Sequence, residues 1–188
     1  GIALLVQRAR AQWMAAISSA TLTTLALLGK EAAFAIPPLL ALAWWLDDDA
    51  ARKSRWWTSM LATGAVCAVY LGLRLDVLLH APREGSQYTL SVLNLPQRWF
   101  EYQIFAPIPP LLEISTTLRR SGPVLLAGLL WSGMLIALWR ASPKLCTLFL
   151  LGGIAALLPV LPLGSSWNHY GYGFAAITAM IIAGAWPQ

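Results

Sequence analysis

A lysine and a glutamate stand side by side inside a long apolar stretch of the chain. Lys30 and Glu31 interrupt the segment LALLGKEAAFAIPPLLALAWWL, residues 25–46, which carries no other charge. In such a setting a lysine can bind a phosphate, and a glutamate can position that lysine, bind a hydroxyl or help to hold a divalent metal. Ionisable side chains in hydrocarbon cost about 2.5 to 3.5 kcal/mol each at mid-bilayer and tend to be functional. The pair is the first candidate site.

Three further side chains complete the set of candidate site residues. Arg74 lies in an apolar run two residues before Asp76, and His169 and Tyr170 end the segment GSSWNHY. Arginine binds phosphate oxygens, and histidine can donate a hydrogen bond to a phosphate or a sugar. Plainer roles stay open for all of them: an interfacial turn for the lysine–glutamate pair, a local ion pair with Asp76 for Arg74, and an aromatic belt for His169 and Tyr170.

The sequence contains no recognisable metal-binding or redox motif. Cys67 and Cys146 both fall inside apolar runs, and two isolated cysteines make neither a disulfide framework nor a metal site. We therefore assign no metal site, although a divalent metal at Glu31 stays open. The net charge of +5 is spread along the chain without a basic block, which argues against a nucleic-acid partner.

The elements that must position these residues are predicted to be membrane helices. The chain is 58% hydrophobic and 11% charged, with ten tryptophans in 188 residues, far from the usage of soluble proteins. A spanning helix needs about 20 mostly apolar residues. Runs of that kind cover roughly 58–79, 123–139, 145–163 and 171–186. With a divided fifth run, they predict an all-α, polytopic transmembrane bundle of about six spans.

The fifth apolar run, residues 13–46, is too long for one span. As a single helix it would be about 51 Å long, against a hydrocarbon core of about 30 Å. Gly29 precedes the charged pair, and Pro37 and Pro38 follow it. This pattern predicts two short helices that meet at the lysine–glutamate pair, which would then occupy a hairpin turn.

The distribution of Lys and Arg predicts the orientation of the bundle. With the hairpin in place, one face collects seven basic residues in short connections, and we assign this face to the cytoplasm: Arg8, Arg10, Arg52, Lys53, Arg55, Arg140 and Lys144. The lysine–glutamate turn, a long loop at about 80–122 and the segment GSSWNHY then open to the extracytoplasmic side. A site shared by the three becomes possible.

The long extracytoplasmic loop is rich in large apolar residues and proline, which argues against a disordered linker. Its stretch LNLPQRWFEYQIFAPIPPLLEI predicts a helix or a re-entrant segment lying at the membrane interface. Glu101 and Glu113 would lie on the water-exposed face of this loop. Its aromatic residues would lie at headgroup depth: Trp99, Phe100, Tyr102 and Phe105.

Three of these segments carry a resemblance to a known family. LALLGKEAAFAIPPLLAL is similar to the "LLxKExxxxxP" segment of the GT-C superfamily, the polytopic glycosyltransferases that use polyprenyl-phosphate-linked sugars. His169-Tyr170-Gly171-Tyr172 resembles the "RYxYxP" element of that superfamily, with histidine in place of arginine and Phe174 in place of proline. YLGLRLDVLL, residues 70–79, resembles the helix that precedes its long outer loop.

The resemblance implies a multi-pass glycosyltransferase of the bacterial inner membrane that takes sugar from a polyprenyl-phosphate-linked donor on the extracytoplasmic side. Lys30 first and Arg74 second would stabilise the charge of the leaving lipid phosphate. His169 and Tyr170 would contact the donor, and Glu31 would position the lysine or bind an acceptor hydroxyl. The acceptor itself is not indicated.

In the GT-C superfamily the general base is a carboxylate in a loop upstream of the KE segment. The chain opens on GIALLV, which resembles the tail of an apolar helix. We therefore expect residues 1–188 to be a single membrane-embedded domain from a larger protein, with the catalytic carboxylate upstream. Two other classes stay open: a transporter or flippase subunit for lipid-linked sugars, and a non-catalytic membrane scaffold.

Overall fold

The computed structural model describes residues 2–80, 91–103, 121–163 and 171–185, and in these residues the chain forms helices and turns without a β-strand. The predicted all-α class is confirmed. The α-helices in the described residues are α1 (Ile2–Arg8), α2 (Gln12–Gly29), α3 (Ile36–Leu46), α4 (Ala50–His80), α5 (Leu95–Gln103), α6 (Ser121–Ala141), α7 (Pro143–Leu157) and α8 (Tyr172–Ala185). The chain packs as two compact units, Gly1–Pro82 and Arg83–Gln188.

In the first unit, α2 and α3 both pack against α4 and run in opposite directions. Near the start of α4, Trp56 shares a buried cluster with Ala15 of α2 and Leu40 of α3. Further along α4, Cys67 shares a second cluster with Leu27, near the end of α2. Helix α2 therefore runs parallel to α4 and α3 runs antiparallel, so the chain folds back between them as the hairpin prediction required.

A row of buried hydroxyl side chains lies on the packed faces of α2 and α4. Ser19 and Thr23 come from α2, and Ser59 and Thr63 come from α4. The spacing of four residues places each pair on one helix face, and small side chains of this kind let two helices approach closely. Thr63 Oγ1 donates to the carbonyl of Ser59 at 2.9 Å. The hydroxyls of Ser19, Thr23 and Ser59 have no hydrogen-bond partner among the described residues.

Two helical segments in the described residues are long and apolar enough to cross a membrane, Ala50–Asp76 in α4 and Val124–Ala141 in α6. Buried residues make up only 17% of the most apolar part of the first segment and 11% of that part of the second, whereas the core helix of a soluble protein is mostly buried. Shorter apolar helices cover Glu31–Leu46, Pro143–Leu157 and Tyr172–Ala183.

In the second unit, α7 packs against α8 through two aromatic rings. Phe149 and Phe174 are buried, and their ring centroids lie 5.4 Å apart. Gly153 makes this approach possible, because a Cβ atom at its position would lie 2.7 Å from the Phe174 ring.

The apolar run 145–163 was predicted to be a membrane-spanning helix, but it forms a shorter helix than expected. Helix α7 ends at Leu157, and turns follow as far as Pro162, with Pro159 among them. Proline lacks the backbone N–H that would continue the helix. At about 1.5 Å per residue, the 15 residues of α7 span about 22 Å, less than a hydrocarbon core of about 30 Å.

Candidate functional site

The predicted break between the two short helices is observed at Lys30. Helix α2 ends at Gly29, and Lys30 adopts an extended backbone with φ −162° and ψ 138°. A short 3₁₀-helix, Glu31–Ala35, follows and leads into α3, where the prolines occupy the first turn. Proline is favoured there because the first N–H groups of a helix have no intrahelical partner. Glycine and the two prolines thus account for the break.

Arg74 joins the turn from helix α4. Its Nη1 atom donates to Glu31 Oε1 at 2.6 Å and to the Tyr70 hydroxyl at 2.8 Å. The guanidinium carbon also lies 5.6 Å from the centroid of the Tyr70 ring, within the range of a cation–π contact. We call Lys30, Glu31, Tyr70 and Arg74 the turn cluster. Three of the five predicted site residues therefore belong to one cluster.

An apolar base supports the turn cluster. The Tyr70 ring packs edge-on against Phe34 with centroids 5.8 Å apart. Both rings rest on the buried cluster that contains Leu27, Ala33 and Cys67. Because Tyr70 lies four residues before Arg74 on the same helix, its ring is placed to hold the arginine against the turn. Tyr70 was not among the predicted site residues, although its position four residues before Arg74 could have indicated it.

The charges of the turn cluster favour an anion. Lys30 and Glu31 are exposed, and Lys30 makes no ion pair with another described residue. Arg74 contacts both the Glu31 carboxylate and the Tyr70 hydroxyl through its Nη1 atom. The turn cluster contains two cations, Lys30 and Arg74, and one carboxylate, so it has an excess of one positive charge. A guanidinium and an ammonium in this arrangement can bind phosphate oxygens.

A second ionic cluster begins helix α4. Arg52 donates to both carboxylate oxygens of Asp47, with Nε–Oδ2 at 2.9 Å and Nη2–Oδ1 at 3.0 Å. The Trp56 indole donates to Asp47 Oδ2 at 2.9 Å. Asp49 Oδ1 accepts from the backbone N–H of Arg52, as a helix-capping side chain does. We call Asp47, Asp49, Arg52 and Trp56 the cap cluster. Its contacts stabilise the start of α4.

The cap cluster shifts the titration of its carboxylates. Hydrogen bonds from Arg52, from the backbone of Asp49 and from Trp56 hold the pKa of Asp47 well below its usual range. The pKa of Asp49 is also lowered, mainly because its carboxylate accepts the backbone N–H of Arg52.

A buried polar group on α5 was not predicted. Arg98 Nη1 binds Glu101 Oε2, Gln97 donates to Glu101 Oε1 at 2.9 Å, and Arg98 Nε donates to the carbonyl of Leu163 at 3.2 Å. The helix predicted in this part of the loop is present. The expected exposure of Glu101 is wrong, because its carboxylate is paired and buried. The Tyr102 side chain is fully buried in the protein, and the depth of this residue in a membrane stays a prediction.

The remaining predicted site residues lie outside the described residues. These are His169 and Tyr170, together with most of the long loop, including Phe105 and Glu113. The predicted site shared by the turn cluster and the segment GSSWNHY stays a prediction. In the part of the chain that the structure describes, no group of three or more His, Cys, Asp or Glu side chains could hold a metal ion.

Comparisons with known proteins give no family assignment. The chain matches no family model, no curated protein and no solved structure.

Proposed function

We propose that the chain is a multi-pass membrane protein of the bacterial inner membrane that binds a polyprenyl-phosphate-linked sugar and takes part in its transfer on the extracytoplasmic side. Lys30 and Arg74 would bind the donor phosphate, and Glu31 would hold Arg74 at the turn. The proposal assigns the general base to no residue of this chain. Its main support is the arrangement of Lys30 and Arg74 around one carboxylate at the break between α2 and α3.

The spacing of the two ionic clusters supports a membrane location. Helix α4 carries no charge between Arg55 and Arg74. At about 1.5 Å per residue, the 22 positions from Arg52 to Arg74 span about 33 Å, close to the thickness of a hydrocarbon core. Large apolar side chains stand exposed between the clusters, among them Leu61, Val69, Trp13, Ile17 and Leu25. Lipid would cover these side chains, and each cluster would lie near one interface.

The exposure of the turn cluster supports ligand binding over a purely structural role. An exposed ion pair contributes little to stability because water and salt screen it. The α2–α3 connection required no charge, since serine or asparagine can also form such a turn. A leaving lipid phosphate gains negative charge as the glycosidic bond breaks, and fixed cations lower that barrier. The turn cluster provides cations of that kind.

A transporter or flippase subunit for lipid-linked sugars is the second candidate. The observation in its favour is the row of buried hydroxyls between α2 and α4, three of which lack a partner within the described residues. Polar side chains in the interior of a membrane bundle often mark a substrate or ion path. The non-catalytic scaffold, in contrast, predicts that the turn cluster tolerates substitution.

Binding of polyprenyl phosphate to the purified chain in detergent tests the proposal. We expect Lys30→Met and Arg74→Gln each to weaken binding about tenfold, because each removes a charge-assisted contact. Arg10→Gln is the matched control, since Arg10 is exposed and lies outside the turn cluster. Equal affinities for the Lys30→Met variant and the unmodified protein would exclude Lys30 from the donor site.

A second measurement separates transfer from transport. Membranes that contain the protein are supplied with a polyprenyl-phosphate-linked sugar, and two products are followed. Release of free polyprenyl phosphate that depends on Lys30 supports transfer. Movement of the intact donor between leaflets without cleavage supports the transporter.

A further inference from the structure

An apolar groove lies where α6 ends and α7 begins. Ser142 alone joins the two helices, and its backbone N–H donates to the carbonyl of Leu138 at 2.8 Å. The groove has a volume of about 320 Å³, near the lower end of the range for ligand pockets. We call it the elbow groove, and its lining residues are Leu135, Ile136, Trp139, Arg140 and Cys146.

The elbow groove combines apolar walls with one cation. Its α6 residues lie at the spacing of a single helix face, and its lining is almost wholly apolar. The Cys146 thiol is buried and donates weakly to the carbonyl of Leu135, with sulfur and oxygen 3.9 Å apart. Arg140 is exposed and is the only charged side chain among the lining residues. The complementary ligand is a hydrocarbon chain that carries an anionic group at one end.

We propose that the elbow groove binds an anionic phospholipid, with an acyl chain along Leu135, Ile136 and Trp139 and the phosphate at Arg140. The proposal rests on the membrane location put forward above, but not on glycosyl transfer or on the turn cluster. Trp139 is 61% exposed, and indole rings favour the headgroup region of a bilayer. Arg140 belongs to the residues predicted to face the cytoplasm, where leaflets carry anionic lipids.

Charge and polarity favour a phospholipid over two other occupants. A free phosphate would pair with Arg140 and leave the apolar walls in water. A second copy of the chain packed over the groove would have to bury the guanidinium, which is costly without a partner. A phospholipid can cover the apolar walls with its acyl chain and pair its phosphate with Arg140.

Lipid retention by the purified protein tests this proposal. The protein is equilibrated in detergent with equal amounts of phosphatidylglycerol and phosphatidylcholine, and the bound lipids are counted by native mass spectrometry. We expect about a fivefold preference for phosphatidylglycerol, the effect of one basic residue on an anionic lipid. Arg140→Gln should abolish the preference, and Arg10→Gln should retain it. Ile136→Trp should reduce the retention of both lipids by filling the groove.

Leu129→Trp is the matched control for the groove-filling variant, because Leu129 is exposed on α6 but does not line the groove. A preference that survives Arg140→Gln would overturn the proposal, as would equal retention of both lipids by the unmodified protein. Dissociation of a dimer by Ile136→Trp with unchanged lipid retention would also overturn it and show an interface between copies. Arg140→Gln leaves the turn cluster intact, so polyprenyl-phosphate binding tests the proposed function separately.

Discussion

Two Arg–Glu ion pairs of similar chemistry lie in contrasting environments in this protein. The side chains of Arg74 and Glu31 are 42% and 60% exposed, and the residues stand 43 positions apart in the sequence. The side chains of Arg98 and Glu101 are 9% and 3% exposed and stand three positions apart on one helix. The first pair belongs to the turn cluster, and the second holds α5 to the carbonyl of Leu163.

The contrast in burial indicates different roles for the two pairs. Removal of one partner from a buried pair leaves an uncompensated charge in a poorly solvated place, which is strongly destabilising. An exposed pair loses little when it is broken, because water solvates the partner that is left. The buried pair is therefore a structural contact. The exposed pair contributes little to folding and stays accessible to a ligand.

The largest effect on folding stability is expected from Glu101→Ala. The substitution removes the carboxylate that pairs with the buried Arg98, so we expect a loss of about 3 to 5 kcal/mol in the free energy of unfolding. Denaturant unfolding of the purified protein in micelles, followed by circular dichroism, measures it. Glu31→Ala is the matched variant and should lose much less. Equal losses for the two variants would remove the distinction between the pairs.

A second substitution tests the close packing of α7 against α8 at Gly153. Gly153→Ala places a Cβ atom against the Phe174 ring, so we expect a loss of about 1 to 3 kcal/mol from overpacking. Gly152→Ala is the control, because its Cβ atom would meet its nearest neighbour at an ordinary 3.5 Å. That control should be neutral or slightly stabilising, since alanine favours a helix over glycine. The melting temperatures of the two variants are measured in the same detergent. A lower melting temperature for Gly152→Ala than for Gly153→Ala would contradict the packing argument.

A smaller loss of folding stability is expected when low pH protonates Asp47 in the cap cluster. The pKa of Asp47 is lower in the folded chain than in the unfolded chain, mainly because Arg52 donates to its carboxylate. The folded state therefore binds this proton less readily, and the stability that Asp47 contributes is complete above about pH 4, its ordinary pKa. The contribution is lost as the pH falls through the lowered value.

Unfolding between pH 6 and pH 2 checks this expectation. The unmodified protein should lose more stability across the range than Asp47→Asn, which has no proton to bind at that position. Parallel pH profiles for the two proteins would show that Asp47 does not contribute in this way.

The smallest effect on stability is expected at the exposed pair. Glu31→Gln should leave the free energy of unfolding nearly unchanged, because Arg74 stays solvated. It should not weaken the binding of polyprenyl phosphate, since the Oε1 atom of glutamine can still accept from Arg74 and the substitution removes a negative charge beside the cations. Isothermal titration of the lipid phosphate measures the affinity. Weaker binding by this variant would mean that the charge of Glu31 is needed, either to hold Arg74 in place or to contact the ligand.

The sequence was sufficient to predict features that depend on local chemistry. Gly29, Pro37 and Pro38 predicted the break at Lys30, because glycine and proline act on the backbone where they stand. Prolines also follow α7 in the sequence, but the run stays apolar beyond them, so the end of the helix at Leu157 was not predicted. The long run in α4 was predicted to begin near residue 58, whereas the helix begins at Ala50, where Asp49 caps a charged first turn.

Features that depend on distant partners could not be predicted in the same way. Asp76 was the nearest opposite charge to Arg74 along the chain, but the structure pairs Arg74 with Glu31 because α2 runs parallel to α4. The burial of Glu101 depends on Arg98 and on the carbonyl of Leu163, more than 60 residues later. A short stretch of charged side chains on a helix gives no indication of such burial.

The extended residue between α2 and the 3₁₀-helix also has a consequence for the biosynthesis of the protein. If the chain has the proposed membrane orientation and enters the bilayer in order of synthesis, Lys30 and Glu31 cross at the tip of a pair of short helices, before the helix that carries Arg74 has been made. During that interval the glutamate has only its neighbouring lysine as a counter-charge. Arrival of α4 then supplies the guanidinium, so late insertion of α4 would complete the assembly of the first unit.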